Sequence, residues 1–449
     1  MSKSPNHKKS VLHAFNSKLG VVAINAATGI MTARALHPHG RGELAAMTIW
    51  PLVLSGSLTL GLPSALTYMI QRKPGQKSQM TTAAMLTATL VGAVATVIAI
   101  AVVPYFLRNY SSHTIFMAQC LLPSLMIGLL LLIGRAALEA EHQFGRSGIA
   151  LIMPPLFTLV MLCSFLLMHR LTPATAAISY VLSGLPALWW LFRSVPLSLR
   201  VPLRTLSETM PALFSYGIRS YGIDLCGTVS LYIDQAVVVG LLSPADMGIY
   251  VVSLNFSRLT SVLHQAIAGV LFPSLVNFDQ NKTNTIIDRI FRIGVSITIV
   301  ATICMFAAGR FVLSTLYGGA FARDVLILPI LTLEAGLGGC ILIAAQAFMA
   351  HNRPGLITTQ QILGLSATVP LLFVLVPALG IRGAALSILM STVLRLVFIL
   401  ISYRRTFGTM PGFVMSKETT FWVLDRLHLS GLRFLPARNP SDEKQSSSV

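Results

Sequence analysis

Ionisable residues are scarce in this chain, and the ones set inside long apolar runs are where chemistry can be sought. The stretch 215–240, SYGIRSYGIDLCGTVSLYIDQAVVVG, holds Arg219, Asp224 and Asp234. A following run holds Arg258, His264 and Gln265, and later runs hold Glu334 and Arg395. Nearer the N-terminus, Lys18 stands with Asn16 and Asn25, and Arg135 lies toward the end of the fourth run. An ionisable group in hydrocarbon costs at least about 2–3 kcal/mol, so it faces a bundle interior, a wet cavity or a partner. One reading is a set of interhelical ion pairs. The other is a hydrated cavity in which Lys18, Arg219, Arg258 and Arg395 outnumber Asp224 and Glu334. That surplus suits a phosphate or pyrophosphate, which arginine holds through its forked donors.

Spacing separates some roles. On a helix Asp224 and Asp234 lie about 80° apart, and Arg219 and Asp224 about 140° apart, too far for an intrahelical pair. Asp234 sits near the outer end of its run, where water or headgroups reach it, and reads as a boundary residue. Arg219 and Asp224 are deeper and need a partner on another helix or a wet cavity. Asp224 and Glu334 are the candidates for ion coupling or ion pairing.

Several chemistries lack their residues. There is no GxxxxGK[ST] phosphate loop, no GxSxG elbow and no HExxH. The histidines are scattered, and the five cysteines fall in apolar runs without paired spacing. They read as small core residues, with no disulfide and no metal implied. No loop between runs is long enough for a catalytic domain. The expectation is a protein that is not an enzyme and carries no cofactor.

The elements that position these residues follow from composition. Of 449 residues, 54% are hydrophobic and 11% charged, and the mean hydropathy is +0.74. A soluble domain carries roughly a quarter charged residues, so this is an all-α polytopic membrane protein. The net charge of +18 does not point to nucleic acid, because the basic residues punctuate the ends of apolar runs as anchors facing anionic lipid. At about 20 apolar residues per span, the chain reads as twelve spans: 10–34, 43–70, 79–106, 114–138, 147–169, 173–193, 209–241, 246–277, 285–315, 325–350, 355–380 and 383–403. The N-terminus is basic without a cleavable signal pattern. With both termini in the cytoplasm, most Lys and Arg fall inside, against Arg34, Arg41, Arg108, Arg170, Arg310, Arg323 and Arg382 outside.

The halves resemble each other. Pro38 and Gly42 in ALHPHGRGELAAM match Pro244 and Gly248 in GLLSPADMGIYVV at an offset of 206. Pro63 matches Pro273, and Gly145 matches Gly355, at an offset of 210. This predicts a six-helix lobe over 1–194, a basic cytoplasmic linker over 195–208 and a second six-helix lobe over 209–405. Such a parallel repeat is related by an axis along the membrane normal. The cytoplasmic tail 406–449 contains TTFWVLDRLHLSGLRFLP, which reads either as an interfacial amphipathic helix or as a loosely ordered segment.

The text HPHGRGELAAM, YIDQAVVVGLLSPADMGIYVVS and the span ending LFPSL resemble the polysaccharide and O-antigen flippases. That family is a branch of the superfamily that includes the multidrug and toxin extrusion transporters. Gly42, Asp234 and Gly248 fall in the family-signature text. The resemblance implies two six-helix lobes around a cavity open to one side at a time. It also implies transfer of a polyprenyl-pyrophosphate-linked oligosaccharide between leaflets of a bacterial inner membrane. The implied partners are that lipid-linked substrate, membrane lipid and a polysaccharide polymerase or export complex. The family's cationic cavity maps by depth and lobe position onto Lys18, Arg219 and Arg258. Lipid II flippases of the superfamily usually carry fourteen spans, so a count of twelve argues against that branch. Two competing functions are a cation-coupled multidrug exporter and a membrane glycosyltransferase or polymerase. The first lacks its usual acid in the opening helix, where Lys18 stands. The second lacks a large outer loop.

Overall fold

A computed structural model describes residues 6–195, 197, 203–275 and 278–415; within these, the side chains of 6–19, 203–208, 212, 223–224, 270 and 272–274 are outside the description. The amphipathic helix expected in the tail falls outside the described residues, as does part of the 195–208 linker. What is described is helical: α1 (Asn6–Ser57), α2 (Leu62–Arg72), α3 (Lys77–Phe106), α4 (Ser112–Leu121), α5 (Ser124–Ala140), α6 (Phe144–Leu167) and α7 (Pro173–Leu182). There follow α8 (Gly184–Ser194), α9 (Leu203–Leu241), α10 (Pro244–Leu275), α11 (Gln280–Leu316), α12 (Ile327–Ala350), α13 (Gly355–Leu379) and α14 (Ile381–Phe407).

Local chemistry sets many boundaries. Ser111 caps α4 by accepting from the Thr114 amide. Thr172 and Thr175 form a reciprocal capping box ahead of Pro173 at the start of α7. Inside the apolar helices, hydroxyls bond back to the carbonyl one turn earlier, as Thr87 does to Ala83 and Thr96 to Gly92. This satisfies the hydroxyl where no water can.

Nine helical segments among the described residues are long and apolar enough to cross a membrane, and a bent pair, Thr209–Gly222 with Leu225–Leu241, makes ten. The expected number was twelve, and two differences account for it. The first segment, Gly20–Arg72, contains two expected spans, 10–34 and 43–70. It bends at His37, the residue before Pro38, where the backbone leaves the helix at φ 56°. The second difference is α10, which matches the expected span 246–277. Asn255, Arg258, His264 and Gln265 lower its hydropathy, so it is not among the ten.

The repeat spacing reappears in local geometry. His142 and Asn352, 210 residues apart, both adopt left-handed conformations, φ 59° and 56°. Each lies in a turn closed by a matched bond of 2.8 Å, Gln143 N to Leu138 O and Arg353 N to Phe348 O. Thr158 donates to Ser183 at 2.8 Å and Thr368 to Ser391 at 2.7 Å, both pairs buried, the threonines 210 and the serines 208 residues apart.

The chain divides into two compact units. The first comprises Met1–Arg258, Cys304–Leu331 and Gln361–Ser391; the second comprises Leu259–Ile303, Thr332–Gln360 and Thr392–Val449. In the first unit, α5 buries Leu125, Leu129 and Ile133 at helical spacing. Glycines let its neighbours approach: a Cβ on Gly134 would stand 2.0 Å from Leu191, and one on Gly92 2.7 Å from Met126. Small residues at helix contacts are how membrane helices gain packing without a hydrophobic drive. The second unit packs Leu275, Phe291, Phe348, Ile399 and Tyr403 into its own core. Leu90, Val97, Val300 and Phe306 remain exposed, as a lipid-facing surface requires.

Candidate functional site

The first unit contains a cavity of about 740 Å³. Helical spacing brings its walls together. α5 contributes Gly128, Leu131, Leu132 and Arg135; α9 contributes Gly227, Thr228, Leu231 and Tyr232. The end of α1 and the turn after it bring Leu52, Ser55, Gly56 and Thr59, and α2 brings Pro63 and Ser64. Ala150, Leu151 and Pro154 of α6 and Gln361 of α13 complete the lining. The wall has two characters. Leu52, Leu132 and Leu231 are large exposed apolar side chains. Hydroxyls and an amide from Ser55, Thr59, Ser64, Thr228, Tyr232 and Gln361 supply neutral donors and acceptors.

Close contacts hold α1 and α2 against α9. A Cβ on Gly56 would stand 2.5 Å from Thr228, and one on Gly61 would stand 2.0 Å from the Gly217 carbonyl. Gly61 itself has φ 68°, a conformation that favours glycine. The Tyr221 hydroxyl donates to Ser57 O at 2.6 Å, and Tyr68 stacks on Tyr216 with ring centroids 4.3 Å apart.

Arg135 is the one cation among the described lining residues. Its Nη2 lies 3.3 Å from Glu139 Oε1 and its Nε 3.4 Å from Ser147 Oγ. Ser147 in turn donates to the same Glu139 oxygen at 2.6 Å. A further ion pair, Lys77 to Glu141 at 3.2 Å, ties the start of α3 to the end of α5.

The sequence candidates lie elsewhere. The side chains of Lys18 and Asp224 are outside the description. Arg219 is exposed on α9 and does not line this cavity. Arg258 donates from Nη2 to Leu231 O at 2.8 Å and interacts electrostatically with Asp234. Arg395 and Glu334 belong to the second unit and meet through Thr392, which donates to Glu334 at 2.8 Å and accepts from Arg395 at 3.0 Å. Asp234, expected near the outer end of its run, has a buried side chain, at 5% exposure. Tyr250, also buried, donates to its Oδ2 at 2.9 Å. In the sequence Arg135 shows only as a charge toward the end of its apolar run. The signal available was its place on one helical face with Gly128 and Leu132.

Gly42 and Gly248 have a specific geometric role. A Cβ on Gly42 would stand 1.7 Å from the Pro244 carbonyl oxygen, and one on Gly248 2.0 Å from that of Pro38. The two matched Pro-x-x-x-Gly segments thus cross backbone to backbone, each glycine against the other's proline. Nearby, outside the spans, burial pushes the phenol of Tyr110 above its ordinary range, and the charge of Glu43 adds to the shift. Burial raises that of Tyr317 as well, against an opposing effect of Arg41. Arg34 donates to the carbonyls of Thr315 and Leu316 at the C-terminal end of α11, where a cation complements the helix dipole.

Comparison with known proteins gives a consistent result. The model of the polysaccharide biosynthesis protein family matches residues 31–326. A curated relative from Haloferax volcanii, the probable low-salt glycan biosynthesis flippase Agl15, is 23% identical over 232 residues, covering 51% of this chain and 48% of the relative. The match therefore spans about half the length of that relative. Among solved structures, the lipid II flippase MurJ in an inward closed conformation superposes with a TM-score of 0.74 at 12% identity, covering 95% of this chain and 94% of that one. An inward-facing multidrug resistance MATE family transporter of the MOP superfamily gives 0.68 at 15% identity, with 86% and 94% covered. A MOP superfamily transporter from Pyrococcus furiosus, described by the reverse polarity of its binding pocket, gives 0.61 at 15% identity, with 89% and 96% covered. These likenesses establish the fold. The coverage of MurJ also shows that the expected difference in span number does not keep the folds apart.

Proposed function

This chain belongs to the polysaccharide biosynthesis protein family, and from that premise we propose that it is a flippase for a polyprenyl-pyrophosphate-linked oligosaccharide. It moves this substrate from the inner to the outer leaflet of a bacterial cytoplasmic membrane, by alternating access between two lobes, 1–194 and 209–405. Both termini face the cytoplasm in this reading. The alternatives differ in ligand chemistry, and the observation that favours this one is the cavity lining. It combines exposed leucines, a set of neutral hydroxyls and an amide, and one arginine. Those are the three chemistries of a glycolipid: an apolar tail, sugar hydroxyls and an anionic link. A multidrug exporter coupled through an acid in its opening helix finds only Glu43 in α1, at the crossing of the Pro-x-x-x-Gly segments.

The reading has a direct cellular test. Deleting the gene should trap lipid-linked glycan on the inner leaflet and deplete the surface polysaccharide. Unchanged surface polysaccharide with altered drug tolerance contradicts it.

A further inference from the structure

Arg41 is the one arginine or lysine that is buried among the described residues, at 7% exposure. Its Nε has no hydrogen-bond partner, and among the described residues no carboxylate pairs with its guanidinium. The acids of the surrounding segments are engaged elsewhere. Glu43 accepts from Thr114 at 2.8 Å and stands 3.8 Å from His39, and residues two apart on a helix do not face each other. Asp246 is held by Ser243 at 2.8 Å, and Asp324 by Arg382 at 2.7 Å. The last carbonyls of α11, those of Thr315 and Leu316, accept from Arg34. What lies within electrostatic reach of Arg41 is the phenol of Tyr317, which is 6% exposed. A guanidinium and a phenol hydroxyl are both donors, and together they call for an acceptor.

The internal repeat makes the charge more conspicuous. Pro38 and Gly42 match Pro244 and Gly248, so Arg41 takes the place that Met247 holds in the second half. Met247 is buried at 0% exposure. One side of the crossing is thus closed by an apolar side chain and the other by a cation, and a buried charge without a countercharge is strongly unfavourable. The two segments meet backbone to backbone at their glycines. An opening that leaves Arg41 and Tyr317 so little exposed admits a monatomic ion and excludes a lipid headgroup.

We propose that Arg41 and Tyr317 form a binding site for a small inorganic anion, of the size of chloride, which supplies the countercharge at the crossing of the two Pro-x-x-x-Gly segments. The ion accepts from the guanidinium and from the phenol hydroxyl. Filling the site stabilises the crossing, and emptying it leaves a buried cation there. Neither residue lines the cavity, so the site does not depend on what the cavity carries.

The test is the thermal midpoint of the purified full-length protein in detergent, titrated with sodium chloride against sodium gluconate at constant ionic strength. Gluconate is too large for the site. A ligand that binds only the folded state raises the midpoint, and the expected rise is about 2–5 °C, climbing with chloride concentration. Arg41→Met copies the second half, so it should abolish the rise and, in gluconate, unfold no earlier than the unaltered protein. Tyr317→Phe keeps the ring and removes the donor, so an equal rise should need several-fold more chloride. The proposal is overturned if the unaltered protein has one midpoint in chloride and gluconate, or if Arg41→Met keeps the full rise. Should Arg41→Met fail to fold, the titration of the unaltered protein and of Tyr317→Phe decides, and an unchanged chloride requirement in Tyr317→Phe counts against the site. Inorganic phosphate raising the midpoint where chloride does not overturns the monatomic ligand.

Discussion

Asp234 shows how a charge inside a membrane helix is accommodated without an exposed position. Its carboxylate is buried, accepts from Tyr250 through Oδ2, and interacts electrostatically with Arg258. Glu334 and Arg395 follow a similar pattern, meeting through the hydroxyl of Thr392. The types of these residues were legible in the sequence as functional or structural charges. Their partners were not, because the scarcity of charges points only to an ion pair with another helix or to a wet cavity. The bonds found run to hydroxyls and backbone carbonyls, and nothing in a sequence marks which tyrosine or threonine faces a given acid. Replacing Tyr250 by Phe removes the donor but keeps the ring, so it should destabilise the protein by about 1–3 kcal/mol. Thermal unfolding in detergent measures this; an unchanged midpoint means that Asp234 is not held by the phenol.

At the scale of elements, the internal repeat was the most informative sequence feature. Proline and glycine spacing predicted matched segments. The structure returns them as matched turns at His142 and Asn352 and matched buried Thr–Ser bonds. Backbone punctuation is readable because only a few residue types tolerate it. What spacing could not convey is that Gly42 and Gly248 face each other's proline. A methyl group at either position would stand within 2.0 Å of a carbonyl oxygen, and backbone on both sides leaves no flexible side chain to give way. Gly42→Ala and Gly248→Ala should each cost more than the about 1–3 kcal/mol typical of overpacking. A midpoint shift no larger than that of an alanine placed on the lipid-facing side of α3 would show that the crossing is not this tight. The break at His37 was equally hidden: Pro38 announces a restricted residue before it, but not that one helical segment would carry two expected spans through the bend.

The molecule as a whole is a helical membrane protein of the fold shared by MATE transporters and MurJ. Composition alone placed it in the membrane, since the charge content is too low for a soluble chain of this length. The position of the cavity was less legible. It needed α1, α2, α5, α6, α9 and α13 to converge, and long-range convergence leaves no periodic trace. Depth and lobe position point to Lys18, Arg219 and Arg258, whereas the cation in the described lining of this cavity is Arg135. The most direct test of the proposed function is transbilayer movement in proteoliposomes. The purified protein would be reconstituted with a fluorescent polyprenyl-pyrophosphate-linked oligosaccharide, and the fraction accessible to an added glycosidase followed over time. The expected result is that accessibility rises beyond the outer-leaflet share only when the protein is present. Equal accessibility in vesicles with and without the protein would contradict it.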